Sequence, residues 1–220
     1  MLAGMKIDFV SDVSCPWCAI GLHALEQALA RVAADGITAT LHVQPFELNP
    51  AMPPEGEDIV EHLTRKYGIT PEQVAANAEA IRQRGAAVGF TFGRGQRSRI
   101  YNTFDAHRLL HWAGLQSADA QRRLKHALFR AYFTDGLSPG DPAVLLAAAI
   151  EAGLDATVAR GVLDSDDHAD AVRTMEDFYQ RAGIRSVPAI ILNDRHLVSG
   201  GQPVEVFERV LRQVADTDRH

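Results

Sequence analysis

The hydrophobic and polar positions change period several times along the chain. A short β-prone run comes first, with Ile7, Phe9 and Val10 in "KIDFVSD" (6–12). From Cys15 to Ala34 the apolar residues Trp17, Ile20, Leu22, Leu25, Ala28, Leu29 and Val32 recur at steps of three and four. That spacing gathers side chains on one face of a helix, and Gly36 stops it. "ITATLHVQPFEL" (37–48) then alternates Ile37, Ala39, Leu41 and Val43 with Thr38, Thr40, His42 and Gln44, which predicts a strand ending at Pro45. The first 48 residues therefore read β-α-β.

A Pro- and Gly-rich loop, "NPAMPPEGED", leads into a long helical stretch. Thr70, Pro71 and Gln73 form a capping box that starts "PEQVAANAEAIRQRGAAVG". Asn102 or Thr103 caps "FDAHRLLHWAG", Ser117 caps "ADAQRRLKHALFRAYF", and Asp141 with Pro142 starts "PAVLLAAAIEAG". A short helix near 155–163 and a longer one over 166–183 follow. The tail returns to strands: "VPAIILN" (187–193), a turn at "DR", then "HLVSG". "PVEVFERVLRQVA" (203–215), with Val204, Phe207, Val210, Leu211 and Val214 on one stripe, closes the chain as an amphipathic helix. There is no internal repeat and no low-complexity tract.

Composition changes this picture little but excludes some functions. With 46% hydrophobic and 23% charged residues the chain is expected to bury a substantial core. A net charge of -6 provides no general attraction to nucleic acid or to anionic lipid, so neither is an expected partner. The start, "MLAGMKIDFVSD", lacks the pattern of a signal peptide, and no run of about 18 apolar residues offers a membrane span. A cytoplasmic protein is expected, where a structural disulfide is rarely kept.

The candidate chemistry is "SCPWCAIG" (14–21), which holds both cysteines of the chain, Cys15 and Cys18. Such a pair can be a redox couple, half of a zinc site, or two buried small residues. Zinc would need two more ligands, and no histidine pair of suitable spacing lies near, so no metal site is expected. The redox reading explains more at once. Cys15 falls at the first turn of a helix, where free N–H groups and the dipole favour a thiolate, and Pro16 loses no hydrogen bond there. Cys18, nearly one turn on, is placed to resolve a mixed disulfide. Trp17 brings no charge and offers an aromatic contact surface.

A strand, then CPWC opening a helix, then a second strand, and far downstream a "SVPAIILN" strand with a hairpin and helix, resembles the thioredoxin superfamily. The helical block between the halves looks like the DsbA-type thiol:disulfide oxidoreductases. "DFVSDVSCPWCAIG", "NTFDAHRLLHWA" and "SVPAIILNDRHLVSGGQP" look like their FrnE-like subgroup. The resemblance implies an α/β, thioredoxin-like fold with a large all-helical insertion: residues 1–50 and 184–220 form the thioredoxin-like part and 51–183 the insertion. It also implies a cis-proline at Pro188 lying against the cysteine pair, with Val187 offering its backbone to a bound substrate. Asp8 falls near the place of a buried acid that moves protons for Cys18, and His107 matches a position of the subgroup beside the cleft.

The expected activity is exchange of disulfides through a mixed disulfide at Cys15, with disulfide- or thiol-containing proteins or small molecules as partners. No bound cofactor is needed, though glutathione is a possible co-substrate, and the run Arg94, Arg97, Arg99 could attract its carboxylates. His107 and His111, four apart on one helix, lack a third ligand in register. Monomer and homodimer both remain open. The rival expectation is a glutathione-dependent transferase of the kappa type or a 2-hydroxychromene-2-carboxylate isomerase, which resemble the same scaffold but use a single Ser or Cys.

Overall fold

The computed structural model describes residues 4–217. Its main sheet has the order β2-β1-β5-β6. Strand β1 (Met5–Ser11) runs parallel to β2 (Ala39–Pro45), and the crossover a parallel pair demands is helix α1 (Pro16–Val32). On its other side β1 pairs antiparallel with β5 (Ala189–Leu192), which pairs antiparallel with β6 (His196–Ser199). The hairpin turn falls on Asn193 and Asp194, both at positive φ (49° and 57°), one residue earlier than the expected "DR". Asn and Asp tolerate the left-handed conformation, and Arg195 avoids it.

Strand alternation assigns the two faces of the sheet. Ile7 and Phe9, opposite Leu192 and Ile190, pack against Leu22 and Leu25 of α1 and against Phe207 and Leu211 of helix α9 (Val204–Thr217). Val10 and Ala189 turn the other way, towards Tyr179 of helix α8 (Ala169–Arg181). The antiparallel register of β1 and β5 sets Val10 beside Ala189, so the end of β1, the start of α1 and the 187–188 peptide meet at one edge of the sheet.

Between β2 and β5 the chain forms α2 (Ile59–Tyr67), α3 (Pro71–Ala87), α4 (Phe104–Gln116), α5 (Ala118–Phe129), α6 (Pro142–Glu151) and α7 (Ala156–Leu163) before α8. The expected caps form: Thr70 and Gln73 make the box, and the Ser117 and Asp141 side chains accept from the backbone N–H of Ala120 and Ala143. Before α4 the Asn102 side chain serves, accepting the Phe104 N–H at 2.9 Å, while the Thr103 side chain does not cap. Helix α2 and the two-residue strands β3 (Glu57–Asp58) and β4 (Arg99–Ile100) were not expected. Strands that short carry no period to read. Leu109, Leu124, Leu128, Leu145 and Val162 join α4 to α7 in a second core, while Phe129, Tyr132 and Phe133 extend the first core from α1 into the inserted helices. The arrangement is an α/β, thioredoxin-like fold with a helical insertion.

One side chain docks α5 on the sheet. Gln121 Nε2 donates to the Val43 carbonyl at 2.9 Å, and its Oε1 accepts the Val43 N–H at 2.8 Å. The amide thus stands in for a neighbouring strand at the free edge of β2. Its room comes from Gly114, where a Cβ would approach the amide nitrogen to 2.7 Å.

Candidate active site

Cys15 is the N-cap of α1 (φ -92°, ψ 113°) and Pro16 its first residue. The Cys15 carbonyl accepts the N–H of Cys18 at 3.1 Å and of Ala19 at 3.4 Å, so the helix begins directly at the pair and lays both sulfurs on one side. The Cys15 thiol donates to the Val187 carbonyl at 3.6 Å, and the Val187–Pro188 peptide is cis. Pro188 lies against α1 at Gly21, where a Cβ would stand 3.1 Å from its ring. A side chain there would require the proline ring to give by a few tenths of an ångström.

The two sulfurs differ in access. Cys15, itself only 4% exposed, lines a cleft of about 760 Å³, while Cys18 is 0% exposed and does not line it. Burial pushes the Cys18 thiol well above its ordinary value, and the neighbouring Cys15 adds to that. Across the cleft from Cys15 and Trp17 stand Ile59, Leu63 and Tyr67 of α2 and Ile81 of α3. The charged groups on its walls are mostly cationic: Lys66, Arg97 and Arg185, against Glu47. Lys66 Nζ is tied to the Leu48 carbonyl (2.9 Å) and the Asn49 side chain (2.7 Å), and Arg97 lies over the rings of Tyr132 and Phe133. Trp17 is 38% exposed at the rim, with the Arg84 guanidinium 5.8 Å from its ring.

Behind the cysteines lies a set of buried ionisable groups. Asp12, at the end of β1, accepts the N–H and hydroxyl of Ser14 and the Leu48 N–H (2.7 Å). His107 of α4, 1% exposed, brings Nε2 to 3.4 Å from Asp12 Oδ1, an ion-pair distance without hydrogen-bond alignment. Burial pushes the Asp12 carboxyl up, but His107 and the backbone donors prevail and hold it at about 2. Lys125 of α5 is 0% exposed and its Nζ has no hydrogen-bond partner. Glu47, on the cleft side, is pushed up to about 7 by burial and by Glu176; Arg173 pairs with both carboxylates.

The structure brings together Cys15, Pro16, Trp17, Cys18, Val187 and Pro188, and sets His107 against Asp12 rather than in the cleft wall. Asp8 is a correction. It lies on the opposite face of β1 from Ile7 and Phe9, where Gln44 Nε2 donates to it at 2.7 Å and Lys6 Nζ lies 2.9 Å away. Strand alternation turns it from the cysteines, and the acid behind the pair is Asp12. Of the three arginines, only Arg97 reaches the cleft: Arg99 binds the carbonyls of Glu55 and Gly56, and Arg94 lies 3.9 Å from Glu79. His111 packs against the ring of His168. Among the described residues no group of three or more His, Cys, Asp or Glu could hold a metal ion. Sequence reasoning missed Asp12, Glu47 and Lys125. Lys125 follows Gln121 by four positions and so shares its face of α5, but only the structure shows that this face is turned inward.

Comparisons with known proteins bear on the family and the fold. A family model, the DSBA-like thioredoxin domain, matches residues 6–212. A solved structure described as a probable DsbA oxidoreductase, SCO1869 of Streptomyces coelicolor, is 35% identical, with a TM-score of 0.86 over 95% of this chain and 89% of that one. Two more distant structures, both 16% identical, share the fold. A 2-hydroxychromene-2-carboxylate isomerase has a TM-score of 0.68 over 97% of this chain and 98% of that one. The cytosolic disulfide reductase DsbM of Pseudomonas aeruginosa, solved with GSH, has 0.65 over 96% and 99%. The chain belongs to the family of DSBA-like thioredoxin domains and is, in its broad class, a thiol:disulfide oxidoreductase.

Proposed function

We propose that the chain exchanges disulfides through the Cys15–Cys18 pair, with Cys15 as the nucleophile and a small, carboxylate-bearing disulfide or thiol such as glutathione as substrate. The observation that carries this reading is the unequal access of two sulfurs on one helical turn: Cys15 opens on the cleft and Cys18 does not. The Cys15 thiolate attacks a substrate disulfide, one substrate sulfur leaves as a thiolate, and a mixed disulfide forms. Cys18 then attacks Cys15 Sγ. The second substrate thiolate leaves with the electrons of the broken bond, and the enzyme keeps the Cys15–Cys18 disulfide. An external dithiol or thiol returns the two electrons, and the reverse sequence oxidises substrate dithiols.

The substrate class rests on the cleft. Its apolar walls and its volume suit a molecule of tripeptide size, and Lys66, Arg97 and Arg185 offer charge to carboxylates. We assign the chain to the FrnE-like subgroup on the three stretches quoted above, and to the cytosol, the compartment in which a lone cysteine pair reads as catalytic rather than as a structural staple.

Mass spectrometry tests the reading. Cys18→Ala incubated with glutathione disulfide is expected to accumulate one glutathione on Cys15, while Cys15→Ser accumulates none and loses disulfide reductase activity. Full activity in Cys15→Ser would overturn the assignment. The glutathione transferase or isomerase reading is favoured by the shared fold of the 2-hydroxychromene-2-carboxylate isomerase; saturable conjugating or isomerase activity that survives Cys18→Ala would establish it instead.

A further inference from the structure

Lys125 belongs to no part of the exchange described so far, yet it is among the largest fully buried side chains of the protein. A buried ammonium is ordinarily paired, because an unpaired charge in the interior is costly. Here Nζ has no hydrogen-bond partner and lies 4.9 Å from the ring centre of Phe129, a residue of the same core as both cysteines. The ionisable groups whose charge acts on it are, strongest first, Cys18, Asp12 and Cys15. They come from α1 and the end of β1, the elements in front of α5. Further back, His107 of α4 stands on Asp12, and Tyr132, beyond α5, carries Arg97 over its ring. Asp12 already takes the Ser14 and Leu48 donors and faces His107, so Lys125 is left without a committed counter-ion. Burial holds its ammonium down to about 8, with the cysteines and Asp12 pulling it back up.

We propose that Lys125 is the fixed charge that stabilises the Cys18 thiolate, and that the inserted helical block thereby governs the resolving half of the exchange. The proposal deepens the function proposed above and rests on it for its catalytic meaning. Cys18 must lose its proton to solvent before it attacks Cys15 Sγ. The bond between Cys15 and the substrate sulfur breaks as the Cys15–Cys18 bond forms, and the substrate leaves as a thiolate. A cation set in the low-dielectric interior before the anion forms stabilises it without reorganisation. Lys125 acts through Cys18 and never meets the substrate, so it is a positioning residue.

The test separates this inference from the function itself. In a Cys15→Ser background Cys18 is the sole thiol, and its thiolate absorbance in the ultraviolet can be titrated directly. Adding Lys125→Met is expected to make the thiolate fraction about tenfold smaller at pH 7 to 8, where the ammonium still carries its charge. In the otherwise native protein the same substitution is expected to slow release of glutathione from the Cys15 mixed disulfide about tenfold, with a smaller effect on formation of that adduct, because Cys15 is the weakest of the three groups on which its charge acts. A folded Lys125→Met variant with an unchanged Cys18 thiolate fraction at pH 7 to 8 would overturn the proposal, even if Cys15 proves to be the nucleophile. Activity retained in Cys15→Ser would instead overturn the function and leave the Lys125–Cys18 coupling standing. Should Lys125→Met fail to fold, the coupling is read from the other side, since linkage is reciprocal. The Lys125 ammonium, followed by NMR at its ε-carbon, is expected to titrate lower in Cys18→Ala than in the native chain, and equal midpoints would overturn the proposal.

Discussion

Asp12 shows how single residues set the acid behaviour of this protein. Its folded value, about 2, lies below the unfolded value of 3.8, so the carboxylate contributes stability above pH 3.8 that is lost as the pH falls through 2. The contribution is on the order of 2 kcal/mol. Asp12→Asn is expected to flatten the loss of stability over that window, read by denaturant unfolding at a series of acid pH values; an unchanged acid limb would remove Asp12 as its cause. Glu47 has the opposite sign. Its folded value, about 7, exceeds the unfolded 4.5, so its contribution to stability is complete below pH 4.5 and fades as the pH rises through 7. Because Glu47 lines the cleft, its ionisation also adds a negative charge beside the substrate. The KM for glutathione disulfide is expected to rise as the pH passes through 7, and Glu47→Gln to remove that rise with little change in kcat. None of this was legible in the sequence: Asp8 and Asp12 stand four apart on a strand-like stretch, and only the end of the strand at Ser11 frees Asp12 to turn towards α1.

The contacts between elements depend on a few close approaches. Gln121 closes the edge of β2, and Gln121→Leu would leave the Val43 N–H and carbonyl buried without partners. That is expected to lower stability by about 2–4 kcal/mol, taking roughly 1–2 for each unmet group, measured by thermal or chemical unfolding. The same variant shifts the helix that carries Lys125, so its resolving rate should fall as well. At the other side of α1, Gly21→Val would drive methyl groups into Pro188 and the Gly201 backbone. Adduct formation at Cys15 is expected to slow, since the 187–188 peptide that receives the Cys15 thiol is displaced. Helices were read well where a cap and a period coincide, as at Thr70, Ser117 and Asp141. They were missed where neither is long enough to see: α2 follows a Pro-rich loop and spans only nine residues.

For the molecule as a whole, the buried cation sets function against stability. Lys125 has a folded value of about 8, below the unfolded 10.5, so the native state gains stability as the pH rises from 8 to 10.5, and at neutral pH the charge is destabilising by roughly 3 kcal/mol. Lys125→Met is expected to raise the melting temperature at pH 7 and to flatten that alkaline gain while it slows resolution; a lower melting temperature would mean that the ammonium is paired in solution. The sequence by itself determined the β-α-β start, the helical middle, the closing hairpin and helix, and the cysteine pair at a helix mouth. Those features are written in period, caps and local spacing, which act within a few residues. Tertiary structure alone decided which acid lies behind the pair, that α5 sends Lys125 towards Cys18, and that α2 and α3 wall the cleft in front of Cys15. Each of these joins segments far apart in the chain, and their meeting depends on how the helices pack on the sheet, which no local pattern encodes.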